Sequence, residues 1–418
     1  MRVLHVNKFL YRRGGAESYM LDLAERQRAR GDEVAFYAMT HPENDPAAYA
    51  ARFPAHLEMN PLPPGVTGKI SGAGRMLWST SARRGLAQVI ADFRPDVAHA
   101  HNIYHQLSPS VLAALRAAGV PVVMTLHDYK LACPSYSFLD QGRICTACVG
   151  GGFRQAVRRR CKGGSLAASA AVAVESWAHR RLGAYNPVGV FVCPSRFLTM
   201  KLIDAGVYPD RLTVLDHFVA PGPAPVDPVP GRLVVAGRLS HEKGVDLAIR
   251  ALPVLPPGTR LDIAGDGPER AALTALAEAT APGQVTFHGR LPKAGVLELM
   301  NSAAALLLPS RWYENQPMTI LEAFACGTPV IGANLGGIPE LITDGVTGRL
   351  VQPDSPTALA EAAAPFLLSA QARDIYGKAA RDVATTRFAP DTHLAALDAI
   401  YASAGNRLSE ERREPRAD

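Results

Sequence analysis

The chain has 418 residues, 48% of them hydrophobic and 20% charged, with 44 basic side chains against 38 acidic ones for a formal charge of +6. That length exceeds one ordinary core and predicts two or three domains of a soluble globular kind. The charge excess reads as a mixed solvated surface, which excludes the strongly basic balance of a nucleic-acid binder. Met1-Arg2-Val3-Leu4-His5-Val6 passes straight into a strand-like run, without the apolar core of a leader peptide. The longest small-apolar stretch, 166–174, falls well short of the roughly 20 residues of a membrane span. A cytoplasmic enzyme is the expectation.

In chain order, strand-like runs at 2–6, 33–38, 96–100, 120–126 and 188–193 alternate with helical patterns at 17–30, 108–118 and 196–205. Such alternation predicts an α/β fold in which helices cover a parallel sheet. A second series has strands at 232–236, 260–264, 284–288, 303–308 and 329–332, with helices at 244–252, 268–279, 293–302 and 317–326. Between the series stand Pro221, Pro223, Pro225, Pro228 and Pro230. Prolines at that density continue neither a helix nor a central strand, so 221–230 reads as a linker. The prediction is two doubly wound Rossmann-like domains, 1–220 and 231–386, facing each other across a cleft at the carboxyl ends of their strands. A terminal helix is expected within 387–404. The charged stretch 405–418, almost free of apolar residues, is expected to be disordered.

Gly14 and Gly15 follow the first strand and open a helix, a pattern that serves a tight turn as well as close backbone approach to a ligand. His127-Asp128 ends the 120–126 run, at the cleft end of the sheet. Arg238 and Lys243 lie on the turn after the first strand of the second series. They join a planar fork to a point charge, a pairing suited to a diphosphate. Gly265-Asp266-Gly267-Pro268-Glu269 follows the next strand, where a turn with a helix-opening proline accounts for Gly267 and Pro268.

Of six cysteines, Cys193 and Cys326 read as small apolar fillers. Cys133, Cys145, Cys148 and Cys161 instead fall in a glycine-rich insertion, 130–164, with spacing C-x11-C-x2-C-x12-C. This ribbon-like pattern predicts a structural zinc ion held by four thiolates, the competing reading being four reduced thiols in a flexible loop. Disulfides are the poorer explanation in a reducing compartment. Arg154, Arg158, Arg159, Arg160 and Lys162 follow closely, and Lys69, Arg75, Arg83 and Arg84 accompany Ile70, Met76, Leu77 and Trp78. Such mixtures suit the anionic inner face of a membrane or an acceptor carrying diphosphate, as well as plain solvation.

The most informative stretch is 309–340, in which Glu314 and Glu322 stand eight positions apart around Pro317. Residues 303–308 suit a buried strand, 311–316 a loop, and 317–326 a short helix with Pro317 at its first position, where the missing N–H costs nothing. Asn315, Gln316, Pro317, Met318 and Thr319 form that helix entrance, and free amides there favour an anion. Glu322 then stands about 7 Å along the axis from the entrance, roughly the span from a nucleotide's phosphate to its ribose. One carboxylate suits ribose hydroxyls, and the other suits the hydroxyls of a sugar beyond the diphosphate.

This segment resembles the donor site of retaining glycosyltransferases with the two-domain GT-B fold, the family 4-like, group 1 enzymes typified by sucrose synthase and bacterial mannosyltransferases. The resemblance implies that Glu322 and Glu314 hold the donor. It also implies that Arg238 and Lys243 neutralise the leaving nucleoside diphosphate, so that catalysis needs no metal. By the same likeness the amides of Gly14 and Gly15 approach the diphosphate, the Gly265 loop lies on the base side, and Gly336-Gly337 edges the pocket. His127 is placed against the donor sugar near the reacting carbon, and the terminal helix is expected to cross back to the first domain. Two departures stand out: Asn315-Gln316 where the family is commonly glycine-rich, and Asp216-His217-Phe218 where it has an Asn-Gly or Asn-Phe type of turn. The implied partners are a nucleotide-diphosphate sugar donor and a sugar or lipid-linked acceptor, with peripheral membrane contact and no nucleic acid. Surface polysaccharide or glycoconjugate synthesis is the implied setting. An epimerase or phosphorylase on the same fold is the alternative, with a zinc-ribbon nucleic-acid binder more distant.

Overall fold

The computed structural model describes residues 1–57, 72 and 74–413. The first domain contains β1 (Arg2–Val6), β2 (Glu33–Tyr37), β3 (Val97–Ala100) and β4 (Val122–Thr125). After a small antiparallel hairpin of β5 (Leu139–Asp140) and β6 (Arg143–Ile144) come β7 (Val190–Cys193) and β8 (Leu212–Val214). Across its parallel sheet the order is β2-β1-β3-β4-β7-β8. Every residue of β3, β4 and β7 is buried, as strands covered on both faces must be. The second domain contains β9 (Arg232–Ala236), β10 (Arg260–Ala264), β11 (Val285–Gly289), β12 (Ala305–Leu308), β13 (Val330–Ala333) and β14 (Gly348–Val351), in the order β11-β10-β9-β12-β13-β14. The short edge strands β8 and β14 are half exposed and carry too little pattern to be expected from sequence.

Both sheets begin in the middle, wind one way and then cross to the other side. The reversals therefore lie between β1 and β3 and between β9 and β12. Loops leaving the carboxyl ends of such neighbours diverge and open a crevice. Gly14 and Gly15 lie beyond β1, His101 and Asn102 beyond β3, Lys243 beyond β9, and Glu314 beyond β12. Topology alone thus brings these positions to two facing crevices.

The opening helix Gly15–Ala29 buries Tyr19, Met20, Leu23, Ala24 and Gln27 against the first sheet, a helical stripe. It stops at Arg30, and Gly31 follows at φ +98°, a conformation that glycine adopts without strain. The linker lies against the helix Met318–Ala325, since a Cβ on Gly222 would stand 2.2 Å from the Ala325 carbonyl oxygen.

The terminal helix spans Pro390–Arg413 and packs on the first domain, with Leu397, Ile400, Tyr401 and Ala404 clustered against Val3, Leu23, Val97 and Val190. Arg30 grips Asp398 with two hydrogen bonds of 2.8 Å. Full burial of a side chain such as Leu397 contributes about 1.5–3 kcal/mol. The helix continues nine residues past the expected end at 404, so the disordered stretch expected from 405 is helical as far as Arg413. Its charged residues find partners on the first domain: Glu411 with Arg211 at 3.2 Å, and Arg407 with the Asp210 carbonyl at 3.2 Å. Residues 414–418 lie outside the described residues, as do Lys69 and Ile70 of the basic and apolar stretch.

Candidate active site

The two crevices meet in a cavity of about 460 Å³ lined by both domains. On the second-domain side, Glu314 is 4% exposed, and its Oε1 accepts from Lys243 Nζ at 2.7 Å and from the Ser310 hydroxyl at 2.8 Å. Both bonds fall on one carboxylate oxygen. Lys243 also lies 5.1 Å from the centre of the Trp312 ring. The helix Met318–Ala325 opens towards this cavity, with Pro317 as its extended N-cap and Met318 as its first helical residue, one position later than expected. Glu322 lines the cavity deeper along that helix, where burial raises its carboxyl above the usual range. Lys293 lowers it in part and is itself paired with Asp22 across the cleft at 2.9 Å.

On the first-domain side stands a stack of imidazoles. His127 lines the cavity and stacks on His101 at 5.4 Å and on His217 at 5.3 Å. His101 stacks in turn on His99 at 4.3 Å and on His5 at 5.4 Å. Burial lowers these rings far below ordinary imidazole values, to about 3 for His127 and about 4 for His5. They are neutral at pH 7. Asp128 accepts the Tyr104 hydroxyl at 2.7 Å and the Lys130 amide at 2.9 Å, and does not hold the His127 ring.

The expected donor residues fall into three groups. Gly15, His127, Lys243, Glu314, Asn315, Gln316, Pro317, Met318, Thr319 and Glu322 line the cavity together. Gly14 caps the opening helix at its edge. Arg238 is exposed on the turn before Lys243 and does not line the cavity, nor does Gly265. Gly265 has a packing duty instead: at φ +149° a Cβ there would stand 1.8 Å from the Gly237 carbonyl oxygen.

Asn315 and Gln316 fasten the domains to each other. Asn315 donates to the Leu126 carbonyl at 3.0 Å and accepts from Ser195 at 2.7 Å, and Gln316 donates to Asp216 at 2.6 Å while accepting the His217 amide at 2.5 Å. Glu340, in the loop expected at the pocket edge, caps the first-domain helix Arg196–Asp204 through the amides of Arg196 and Phe197, at 2.8 and 2.6 Å. Sequence reasoning passed over the buried Glu17 and the Asp22–Lys293 pair. Glu17 was legible only as an acid in a first helical turn. The Asp22–Lys293 pair joins residues of different domains and leaves no local signal.

The cysteine insertion folds as the β5–β6 hairpin and two short helices, Ala147–Gly151 and Arg154–Arg158. Cys133, Cys145, Cys148 and Cys161 are all free thiols within electrostatic reach of one another. Burial pushes the Cys148 thiol up to about 12 and Cys161 to about 11. Among the described residues, the group of three or more ligand atoms within 4.8 Å of one another is His5, His99 and His101, so the four thiols stand further apart than such a group.

Two doubly wound domains with a polar cleft between them define the GT-B class, and solved structures agree. Anabaena HepE in complex with UDP and glucose superposes with a TM-score of 0.67 at 20% identity, covering 96% of this chain and 100% of that one. Sucrose-phosphate synthase from Thermosynechococcus elongatus gives 0.70 at 18% identity, covering 96% and 98%. The sequence model of Glycosyltransferase Family 4 matches residues 13–221, half of the chain, and that of Glycosyl transferases group 1 matches 227–383. The chain belongs to glycosyltransferase family 4. It is 37% identical over 179 residues to a glycogen synthase of Mycobacterium tuberculosis, 42% of this chain and only 43% of that one. It is 28% identical over 333 residues to a 2-deoxystreptamine N-acetyl-D-glucosaminyltransferase of Streptomyces fradiae, 77% and 74% of the two chains.

Proposed function

We propose that the protein transfers a sugar from a nucleoside-diphosphate sugar to an acceptor hydroxyl, with retention at the transferred carbon and without a catalytic metal. The observation that carries this reading is the convergence of Lys243, Glu314, Glu322 and the entrance of the helix Met318–Ala325 on one cavity that His127 closes from the other domain. Glu322, deepest on that helix, takes the ribose hydroxyls. The diphosphate lies at the helix entrance, where free amides favour an anion, and displaces Lys243 from Glu314. Glu314 is then released to accept from hydroxyls of the sugar. Lys243, joined by the exposed Arg238 as it swings in, stabilises the charge that grows on the leaving phosphate, and a phosphate oxygen takes the acceptor's proton on the same face. UDP is the favoured nucleotide, because HepE binds UDP and UDP-glucose. A thermal-shift screen against UDP-, GDP-, ADP- and TDP-sugars tests this. A ligand at about 100 times its dissociation constant stabilises by about 2.7 kcal/mol, and no shift with any of them would sink the donor assignment.

The acceptor in this reading is sugar-like or lipid-linked, delivered at a membrane face. Trp177 and Val174 are more than half exposed on the helix Leu166–Arg181, beside exposed Arg180 and Arg181. His179 of that helix holds the Leu77 carbonyl at 2.9 Å, which sets the exposed Leu77 and Trp78 nearby. Basic and aromatic groups in one place match anionic headgroups. No helix among the described residues is long and apolar enough to cross a membrane. Cosedimentation with anionic but not zwitterionic vesicles is expected.

One structural zinc ion among Cys133, Cys145, Cys148 and Cys161 completes the proposal. Binding would lower the raised thiols to thiolates and draw them together. Elemental analysis of protein purified without a metal-affinity tag should give about one zinc per chain, lowered by Cys145→Ser. Freshly reduced, metal-free protein would refute it.

A further inference from the structure

Behind His127 runs a line of hydrogen bonds whose direction is set by the Gln27 amide, beside a separate His393 pair. The carbonyl of Asp216 can only accept, and His393 reaches it through Nδ1 at 2.8 Å, so Nδ1 carries the proton. His393 Nε2 is left to accept the Tyr19 hydroxyl at 2.9 Å. Apart from that pair, Thr125 shares a hydrogen bond with His99 Nε2 at 2.7 Å. The Gln27 amide nitrogen donates to the Tyr401 oxygen at 3.1 Å, so the Tyr401 hydroxyl donates to His99 Nδ1 at 2.9 Å and His99 keeps its proton on Nε2, towards Thr125.

That contact orients the Gln27 amide so that its Oε1 accepts from His5 Nε2 at 2.7 Å. His5 Nδ1 accepts from His101 Nε2, and His101 Nδ1 accepts from His127 Nε2, each at 3.1 Å. Followed from donor to acceptor, the line leaves His127 with its proton on Nε2. Among the described residues no hydrogen bond engages its Nδ1, on the ring that lines the cleft. Burial keeps the rings of His5, His99, His101, His127 and His393 neutral, which such a line requires, because an imidazolium donates from both nitrogens.

The nitrogens of His5, His99 and His101 lie within 4.8 Å of one another, yet these residues do not make a metal triad. Their rings stack at 21° and 25° instead of converging, and each of their ring nitrogens already has a hydrogen-bond partner.

We infer that Gln27, His5 and His101 are positioning residues that fix His127 as the Nε2–H tautomer, so that it offers a lone pair to a hydroxyl of the sugar in the cleft. The inference rests on the donor reading given above. It adds that the group His127 recognises is a hydrogen-bond donor. A donor sugar with that hydroxyl replaced by fluorine, which only accepts, is a poor substrate.

Long-range proton–nitrogen NMR of the full chain, labelled with 15N-histidine at neutral pH, tests the line directly. Assignment uses single His→Asn variants. The expected pattern is a proton on Nε2 in His5, His99, His101 and His127, and on Nδ1 in His393. A His127 proton on Nδ1, or a cationic His127, would overturn the inference. In kinetics, His101→Leu should lower kcat about 100-fold, the scale of a misplaced catalytic contact, with KM for the donor little changed. His101→Asn, whose Oδ1 can replace Nδ1 as acceptor, should restore most of it. Equal losses in both variants with the His127 signals unmoved would also overturn it. If His101→Leu fails to fold, the spectrum of the unaltered protein decides. If no nucleotide sugar binds, the donor reading fails, while the tautomer pattern still stands or falls in the spectrum.

Discussion

The second domain's wall of the cleft carries charge that a ligand can rearrange: Lys243 paired with Glu314 on the same wall, Lys293 paired with Asp22 of the facing domain, and a half-buried Glu322. The first domain's wall offers His127, His101 and His217 as neutral stacked rings, each far below the usual imidazole range because it is buried. A charged wall with exchangeable partners can receive a diphosphate without leaving an ion unpaired, whereas breaking a buried pair outright is costly. Neutral rings with fixed donors and acceptors suit sugar hydroxyls. One side is built to exchange partners and the other to stay still.

The sharpest way to break this contrast is Lys243→Ala, expected to lower kcat by roughly 10² to 10³ as one preorganised stabiliser of the leaving group is lost. Arg238→Ala should cost less, because that side chain is exposed and outside the resting cavity. Steady-state transfer from a UDP-sugar measures both, and a Lys243→Ala enzyme within twofold of its parent would remove the charged wall from the chemistry.

Next in size is Glu322→Ala, which on the proposed reading removes charged hydrogen bonds to ribose worth about 1.5–3 kcal/mol. Calorimetric titration with UDP should show that weakening. Glu314→Ala should instead depress turnover more than it weakens binding of free UDP, and equal small effects on both would undo the two assignments.

The neutral wall is tested by pH. His5, His127 and His393 have folded-state values of about 4, 3 and 4, below an ordinary 6.5, and His99, His101 and His217 are lowered as well. Depressed values mean that the unfolded chain binds protons first, so the stability they contribute is intact above pH 6.5 and drains away as pH falls towards 4. Each neutral histidine adds a slope of up to about 1.4 kcal/mol per pH unit in that window. Thermal melts at pH 7.5 and 5.0 should show a clear fall in Tm, and a flat profile would mean that the rings are not held neutral.

The smallest effect expected is at the join between the walls. Gln316→Ala loses contacts to Asp216 and to the His217 amide, at about 0.5–1.5 kcal/mol for each net hydrogen bond. Small-angle scattering of the ligand-free protein should show a more open form, and unchanged scattering would place the domain contact elsewhere.

The sequence alone determined the two sheets, the proline linker and the position of Glu314, Glu322 and Lys243 after particular strands. These rest on local periodicity and turn chemistry, which are written in neighbouring residues. It placed Pro317 one residue inside a helix that starts at Met318, and it read 405–413 as disordered, because charge without local apolar pattern carries no sign of the distant Arg211 and Asp210 that hold the helix there. Asn315 and Gln316 line the cavity as expected, and tertiary structure gives them in addition the role of fasteners between domains. The histidine line lay beyond any sequence pattern. Residues 5, 27, 99, 101, 127 and 401 are scattered along the chain, and only the parallel sheet with the returning terminal helix brings their polar atoms within about 3 Å, where burial obliges each to find a partner.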